Sequence, residues 1–184
     1  MKTYLMLFVF MLCLLEILQA QIYIGKETEI SFFSKSTIED IAAYNNSVKP
    51  VLNSATGDLL FKIPNTGFQF KSALMQEHFN ETYMESDKFP FSTFEGKINE
   101  PIVCTKDGKY PITASGKLTI HGITKPINVP GTLTVKDNEI VLHSEFKVVM
   151  TDYDIEIPGI HVNTKMDSED VQITIHSTLI PYIK

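Results

Sequence analysis

Apolar and polar residues alternate along most of the chain. In TEISFFS, Ile30 and Phe32 share one face against Glu29, Ser31 and Lys35, and Phe33 breaks the alternation. In DLLFKI, Leu59, Phe61 and Ile63 oppose Lys62, and Phe68 and Phe70 oppose Gln69 and Lys71. Leu118 and Ile120 oppose Lys117, Thr119 and His121 in GKLTIHG. In EIVLHSEFKVVM, Ile140, Leu142, Phe146, Val148 and Met150 oppose His143, Glu145 and Lys147. In VQITIHSTL, Val171, Ile173, Ile175 and Leu179 oppose Gln172, Thr174, His176 and Thr178. A period of two predicts strands, and one apolar face per strand predicts an antiparallel sheet with one side in water. Turn signals separate the runs at Asn45-Asn46, Ala55 to Asp58, Lys106 to Gly108 and Asp137-Asn138. The fold class is all-β. About eight antiparallel strands of this kind close into a barrel or divide into a sandwich, which protects their edges.

One segment departs from the alternation. Ser72 is a good N-cap, and Met75, Phe79 and Tyr83 recur at helical spacing opposite Gln76, Glu77, Asn80 and Glu81. The spacing predicts one short amphipathic helix over 72–84, ended by Pro90. Its aromatic stripe suits either a lid over an apolar interior or a plug in a solid core. The predicted inward positions also mix small residues with large ones: Ser92, Gly96, Gly116, Ser144 and Ser177 beside Phe94, Ile98, Leu118, Phe146 and Ile175. An eight-stranded barrel is filled by side chains or holds one small ligand, and small inward residues fit a ligand cavity or large–small packing. On the cavity reading, a bulkier residue at Gly116 or Ser144 has room.

The net charge is −6 at pH 7 and the sequence has no Arg. This argues against nucleic acid and removes the bidentate fork that grips phosphate. Residues 1–20, MKTYLMLFVFMLCLLEILQA, read as a secretory signal peptide with cleavage before Gln21, leaving one domain over 21–184. Leu12 before Cys13 argues against a lipoprotein signal. Cleavage leaves Cys104 as the sole thiol, so no internal disulfide forms and burial must hold the domain together.

No catalytic constellation stands out. There is no G-x-S-x-G, P-loop or G-x-G-x-x-G, and Cys104 reads as an unreactive thiol. His121, His143 and His176 fall on polar parities and are expected in solvent, while His78 lies on the helix and His161 in a loop. No histidine spacing predicts a metal site. Asp152, Asp154 and Glu156 lack the pattern of a calcium loop. Asn45-Asn46-Ser47 and Asn80-Glu81-Thr82 match the glycosylation sequon. No cofactor, metal or catalytic residue is expected, and the chain does not read as an enzyme.

LMQEHFNETYMESDKFPFSTFEGKI, SGKLTIHGITKPINVPGTL, FKVVMTDYDIEIPGI, ISFFSKSTIEDIAAYNNS and SATGDLLFKI together resemble the YceI-like family, in a variant similar to that of Bacteroidetes. The resemblance spans almost the whole chain after residue 20. It implies a lipocalin-like antiparallel β-barrel, a periplasmic or secreted location, and a long polyisoprenoid chain bound inside, with the helix near the barrel mouth. The lack of Arg leaves a neutral or weakly polar head, such as a quinone or another lipid, as open as a pyrophosphate. The expected lining is Phe32, Phe61, Phe70, Phe94, Leu118, Ile120, Phe146, Val148, Ile173 and Ile175, with Met75, Phe79 and Tyr83 at the mouth. The leading expectation is a lipid-binding protein. A structural or adhesive envelope protein with a solid core, and an enzyme acting on a hydrophobic substrate, are the alternatives. The partner is then a long-chain lipid, with no nucleic acid and no transmembrane span after cleavage, and a homodimer is left open.

Overall fold

The computed structural model describes residues 22–35, 40–104, 106–155 and 170–182. The predicted signal peptide and its cleavage site, Glu156 and His161 lie outside the described residues. Ten strands are present among the described residues: β1 (Ile22–Ser34), β2 (Ile41–Asn45), β3 (Val51–Asn53), β4 (Asp58–Pro64), β5 (Gln69–Phe70), β6 (Phe91–Ile98), β7 (Gly108–Ile120), β8 (Ile123–Lys136), β9 (Glu139–Val149) and β10 (Asp170–Pro181). The sheet order is β10-β9-β8-β7-β6-β4-β3-β1-β2-β5, every pair is antiparallel, and β10 also pairs with β1. That last pairing closes an eight-stranded barrel, and β2 and β5 form a short flap.

Strand β1 makes the closure possible by serving two neighbours along one edge. Ile22, Tyr23 and Ile24 face β3, whereas Ile30 to Ser34 face β2. A register shift between Gly25 and Glu27 in the β10 ladder separates the two stretches. Gly25 is needed there, because a Cβ would lie 2.5 Å from the Pro50 ring. Two hairpins turn on two residues with positive φ, His121-Gly122 between β7 and β8 and Asp137-Asn138 between β8 and β9. Such turns match the right-handed twist of the strands they join.

The alternation read from the sequence holds in β4, β9 and β10, where the apolar parity points inward. Phe33, the exception, points outward and is exposed. In β8, Pro126 and Pro130 interrupt the alternation. Both prolines sit on the stretch that pairs with β7, while the β8–β9 ladder begins only at Thr132. A missing N–H is tolerated where a strand has one paired edge. The Ser144 hydroxyl donates to the Pro130 carbonyl at 2.6 Å and occupies an acceptor the ladder leaves unused.

The interior divides into two halves. At the end that holds the β8–β9 turn, Tyr23, Leu52, Ile98, Leu133, Ile140 and Leu179 are each no more than 2% exposed. The Tyr23 hydroxyl donates to Asn138 Oδ1 at 3.1 Å, and burial pushes this phenol well above its ordinary range. A hydrogen-bonded pair, Thr28 Oγ1 and Ser177 Oγ at 2.8 Å, bridges β1 and β10 above this plug. At the other end Phe32, Phe70, Phe79, Tyr83, Phe146 and Ile173 are only partly buried, and the short helix lies there.

A candidate lipid-binding cavity

The helix α1 (Ala73–His78) starts at Ser72, whose hydroxyl accepts from the Met75 N–H at 3.4 Å. It runs into a π-helical turn, Phe79–Tyr83, closed by the Met84 N–H donating to the Phe79 carbonyl at 2.9 Å. The predicted helix over 72–84 is therefore α-helical only in its first half. The wider turn brings Met84, which the helical spacing did not select, onto the same side as Phe79 and Tyr83. No residue of α1 or the turn is buried, so the segment covers the barrel end without entering a core.

Four phenylalanines fix that cover. Phe79 lies 5.7 Å from Phe32, 5.5 Å from Phe68 and 5.0 Å from Phe70, ring centre to ring centre. Aromatic pairs at such distances each add about 0.5–1.5 kcal/mol beyond area burial. On the polar side, Gln76 Oε1 accepts from the Phe70 N–H at 3.2 Å, and Asn80 Nδ2 donates to the Gln76 carbonyl at 2.9 Å. Two fully buried amides anchor the loops below. Asn65 donates to the Phe89 carbonyl and accepts from Ser92, and Asn45 donates to the Pro64 carbonyl and accepts from Ser47. Asn45 thus fills a structural role, and the sequon it opens is not an accessible modification site. The sequence marked Asn45 only as a turn and sequon residue and did not mark Asn65, since a buried polar role leaves no periodic trace.

Beneath the cover lies a cavity of about 370 Å³. All the residues expected to line it do so. Phe32 comes from β1, Phe61 from β4, Phe70 from β5 and Phe94 from β6. Leu118 and Ile120 come from β7, Phe146 and Val148 from β9, Ile173 and Ile175 from β10. Met75, Phe79 and Tyr83 close it from above. The β7–β8 wall, formed by Ile112, Ala114, Val129, Pro130 and Gly131, was missed because of its prolines. Among the described residues no Lys, Asp or Glu lines the cavity. Its polar atoms come from Ser34, Ser72, Ser92, Ser144 and Tyr83, with His78 near the cover. His78, placed on the helix from the sequence, reaches the cavity wall from there.

Two further readings need correction. Of the small inward residues, Ser92 and Ser144 line the cavity, but Gly96, Gly116 and Ser177 do not. Gly96 and Gly116 face each other in register across β6 and β7. A Cβ on Gly96 would lie 2.5 Å from Phe94 Cζ, and one on Gly116 would lie 2.5 Å from the Gly96 Cα. The Phe94 ring fills the hollow, so a bulky side chain at Gly116 has no room. His121 is also not in solvent: its side chain is only 11% exposed. It occupies the β7–β8 turn, 4.7 Å from the Phe89 ring, with Nε2 2.8 Å from Glu85 Oε2 and Nδ1 3.2 Å from the Tyr153 carbonyl. This contact ties the loop after the π-turn to the barrel rim and holds the Glu85 carboxyl below its usual range.

His143 and His176 do reach the outer face. They stand directly opposite across β9 and β10 with ring centres 4.4 Å apart, a proximity only the register reveals. No group of three or more ligating side chains is placed to hold a metal among the described residues. Asp152, part of the acidic run, pairs with Lys125. Cys104 is half-buried and free of any disulfide. No helix among the described residues is long and apolar enough to cross a membrane.

This barrel, with its apolar cavity under a short helix, matches a known domain over residues 25–179, the YceI-like domain. The chain belongs to the YceI-like family. The YceI-like barrel is similar to a polyisoprenoid-binding domain from Saccharophagus degradans, with a TM-score of 0.73 at 12% identity over 87% of this chain and 98% of that one. It is also similar to Burkholderia cenocepacia BcnA, with a TM-score of 0.67 at 17% identity over 82% and 95% of the two chains. A Campylobacter jejuni YceI protein matches with a TM-score of 0.56 at 16% identity over 92% and 89%. No curated protein matches the sequence. At these identities the likeness concerns the fold.

Proposed function

We propose that this protein binds a lipid, holding the apolar tail of an amphiphile in the barrel with the head group at the helix-covered mouth. One observation carries the reading: a cavity of about 370 Å³ walled by aromatic and aliphatic side chains, with no Lys, Asp or Glu on its described walls. Burying a tail there is worth about 0.8 kcal/mol per methylene, offset by the cost of association. The absence of a charged wall residue favours a neutral or weakly polar head, an isoprenoid quinone or alcohol among them, over a pyrophosphate. The polyisoprenoid-binding description of the Saccharophagus degradans relative supports the same class of ligand.

The solid-core alternative fits one half of the barrel and fails to account for the other. The enzyme alternative lacks a carboxylate or thiol on the cavity wall among the described residues. The proposal includes export, with residues 1–20 removed and the domain acting in the periplasm or outside the cell. Expression in a Gram-negative host, solvent extraction of the purified protein and mass spectrometry test the binding. A prenyl or acyl lipid in stoichiometric amount supports it, and an empty protein that takes up no added lipid rejects it. The intact mass of the exported protein tests the start at Gln21.

A further inference from the structure

We infer that the cavity is a length gauge: it accepts roughly a dozen carbons of an apolar chain, and Phe94 with the plug beneath it sets the stop. This rests on the lipid-binding reading above and narrows it. The volume of about 370 Å³ bounds the chain, since a methylene displaces roughly what a water molecule does, about 30 Å³. Among the described residues the plug leaves no continuation past that volume. Ile98, Leu133, Ile140 and Leu179 are 0–2% exposed and lie outside the cavity wall. A tail of many isoprene units would leave most of its length outside the mouth.

Phe94 is the element of the stop that one substitution can move. Its ring sits over the facing Gly96 and Gly116, two positions with no side chain of their own. The nearest side-chain atoms to both positions are those of the Phe94 ring, so shortening Phe94 lengthens the cavity. On another wall, Ser144 lines the cavity with its hydroxyl committed to the Pro130 carbonyl. It holds no polar chain end, and a larger apolar residue there shortens the usable space.

The test is titration of delipidated protein with straight-chain fatty acids from about eight to about twenty carbons, read by displacement of a fluorescent apolar probe. Affinity is expected to rise about fourfold per methylene up to roughly a dozen carbons and then to level off. Phe94→Ala moves the plateau to longer chains, Phe94→Leu moves it less, and Ser144→Leu moves it to shorter ones. The milder Phe94→Leu keeps the comparison available if Phe94→Ala does not fold. An undiminished rise to about twenty carbons in the parent protein overturns the gauge while leaving lipid binding intact, as does a plateau unmoved by either Phe94 variant. No displacement at any length overturns the lipid-binding reading, and the gauge with it.

Discussion

The two ends of the barrel are built from the same alternating strands, yet they do different things. At the β8–β9 turn, side chains of matched volume meet across the lumen and exclude everything else, down to Tyr23 and Leu179 at 0% exposure. At the helix end, large aromatics are set apart by small residues on neighbouring strands, Ser92, Ala114, Gly131 and Ser144, and a cavity remains. The plug is filled by side chains of the strands themselves, whereas no residue of α1 or the π-turn is buried. Stability is thereby concentrated where no ligand reaches, and the binding end is left loosely packed. On the proposed function, a lipid would enter without unfolding the domain, since local opening draws on the least stable contacts.

The contrast breaks most sharply in core truncations. Leu133→Ala, at 1% exposure in the plug, is expected to cost about 2–5 kcal/mol, read by denaturant melts. Gly116→Leu, against the Gly96 Cα and the Phe94 ring, is expected to overpack by about 1–3 kcal/mol or more. Ser144→Leu, facing the cavity, has room for the larger side chain and loses only the hydrogen bond to the Pro130 carbonyl, worth about 0.5–1.5 kcal/mol, while weakening lipid uptake. If Ser144→Leu destabilises as much as Gly116→Leu, the helix end is as tightly packed as the plug and the division fails.

These outcomes also mark what the sequence discloses. Period-two alternation exposes every inward position of β4, β9 and β10, and it found Phe94 and Ser144 as readily as Ile98. It cannot say which inward positions meet a partner across the lumen. Gly116 and Ser144 look alike in sequence, and only the β6–β7 register, which sets Gly116 against Gly96, separates filled space from open space. The π-turn is invisible for a similar reason: Phe79 and Tyr83 fit a regular helix, and the extra residue per turn shows only in the Met84 bond to the Phe79 carbonyl. Asn45, Asn65 and His121 were hidden because polar residues with buried partners read as surface positions.

The lid should yield function before stability. Phe79 contacts Phe32, Phe68 and Phe70 but is only partly buried. Phe79→Ala is therefore expected to cost less than the about 3–5 kcal/mol of a fully packed phenylalanine. It should instead speed release of a bound lipid, measured by transfer of a fluorescent analogue to vesicles. A loss of stability equal to that of Leu133→Ala would make the helix part of the core rather than a cover.

The smallest effect expected is on the tether at the rim, and its direction follows from charge. The Glu85 carboxyl is held below its ordinary value of 4.5, first by the hydrogen bond from His121 and further by the nearby Lys88 and His121 charges, with burial opposing. A carboxylate whose folded value is depressed contributes stability above its unfolded value and loses it as the pH falls through the folded one. The tether is thus intact at neutral pH and weakens only in acid below the ordinary carboxylate range. Because Glu85 is half-exposed, the effect on global unfolding should be slight. Hydrogen exchange at Lys88 and Phe89, whose N–H groups both donate to the Glu85 carbonyl at 2.8 Å, reads it locally. After correction for intrinsic rates, protection there should fall in acid while amides around Leu133 and Ile140 stay protected. Glu85→Gln should remove the acid-dependent step and leave the plug unchanged. Simultaneous loss of protection at both ends would mean that the barrel opens as one unit, with no independent lid.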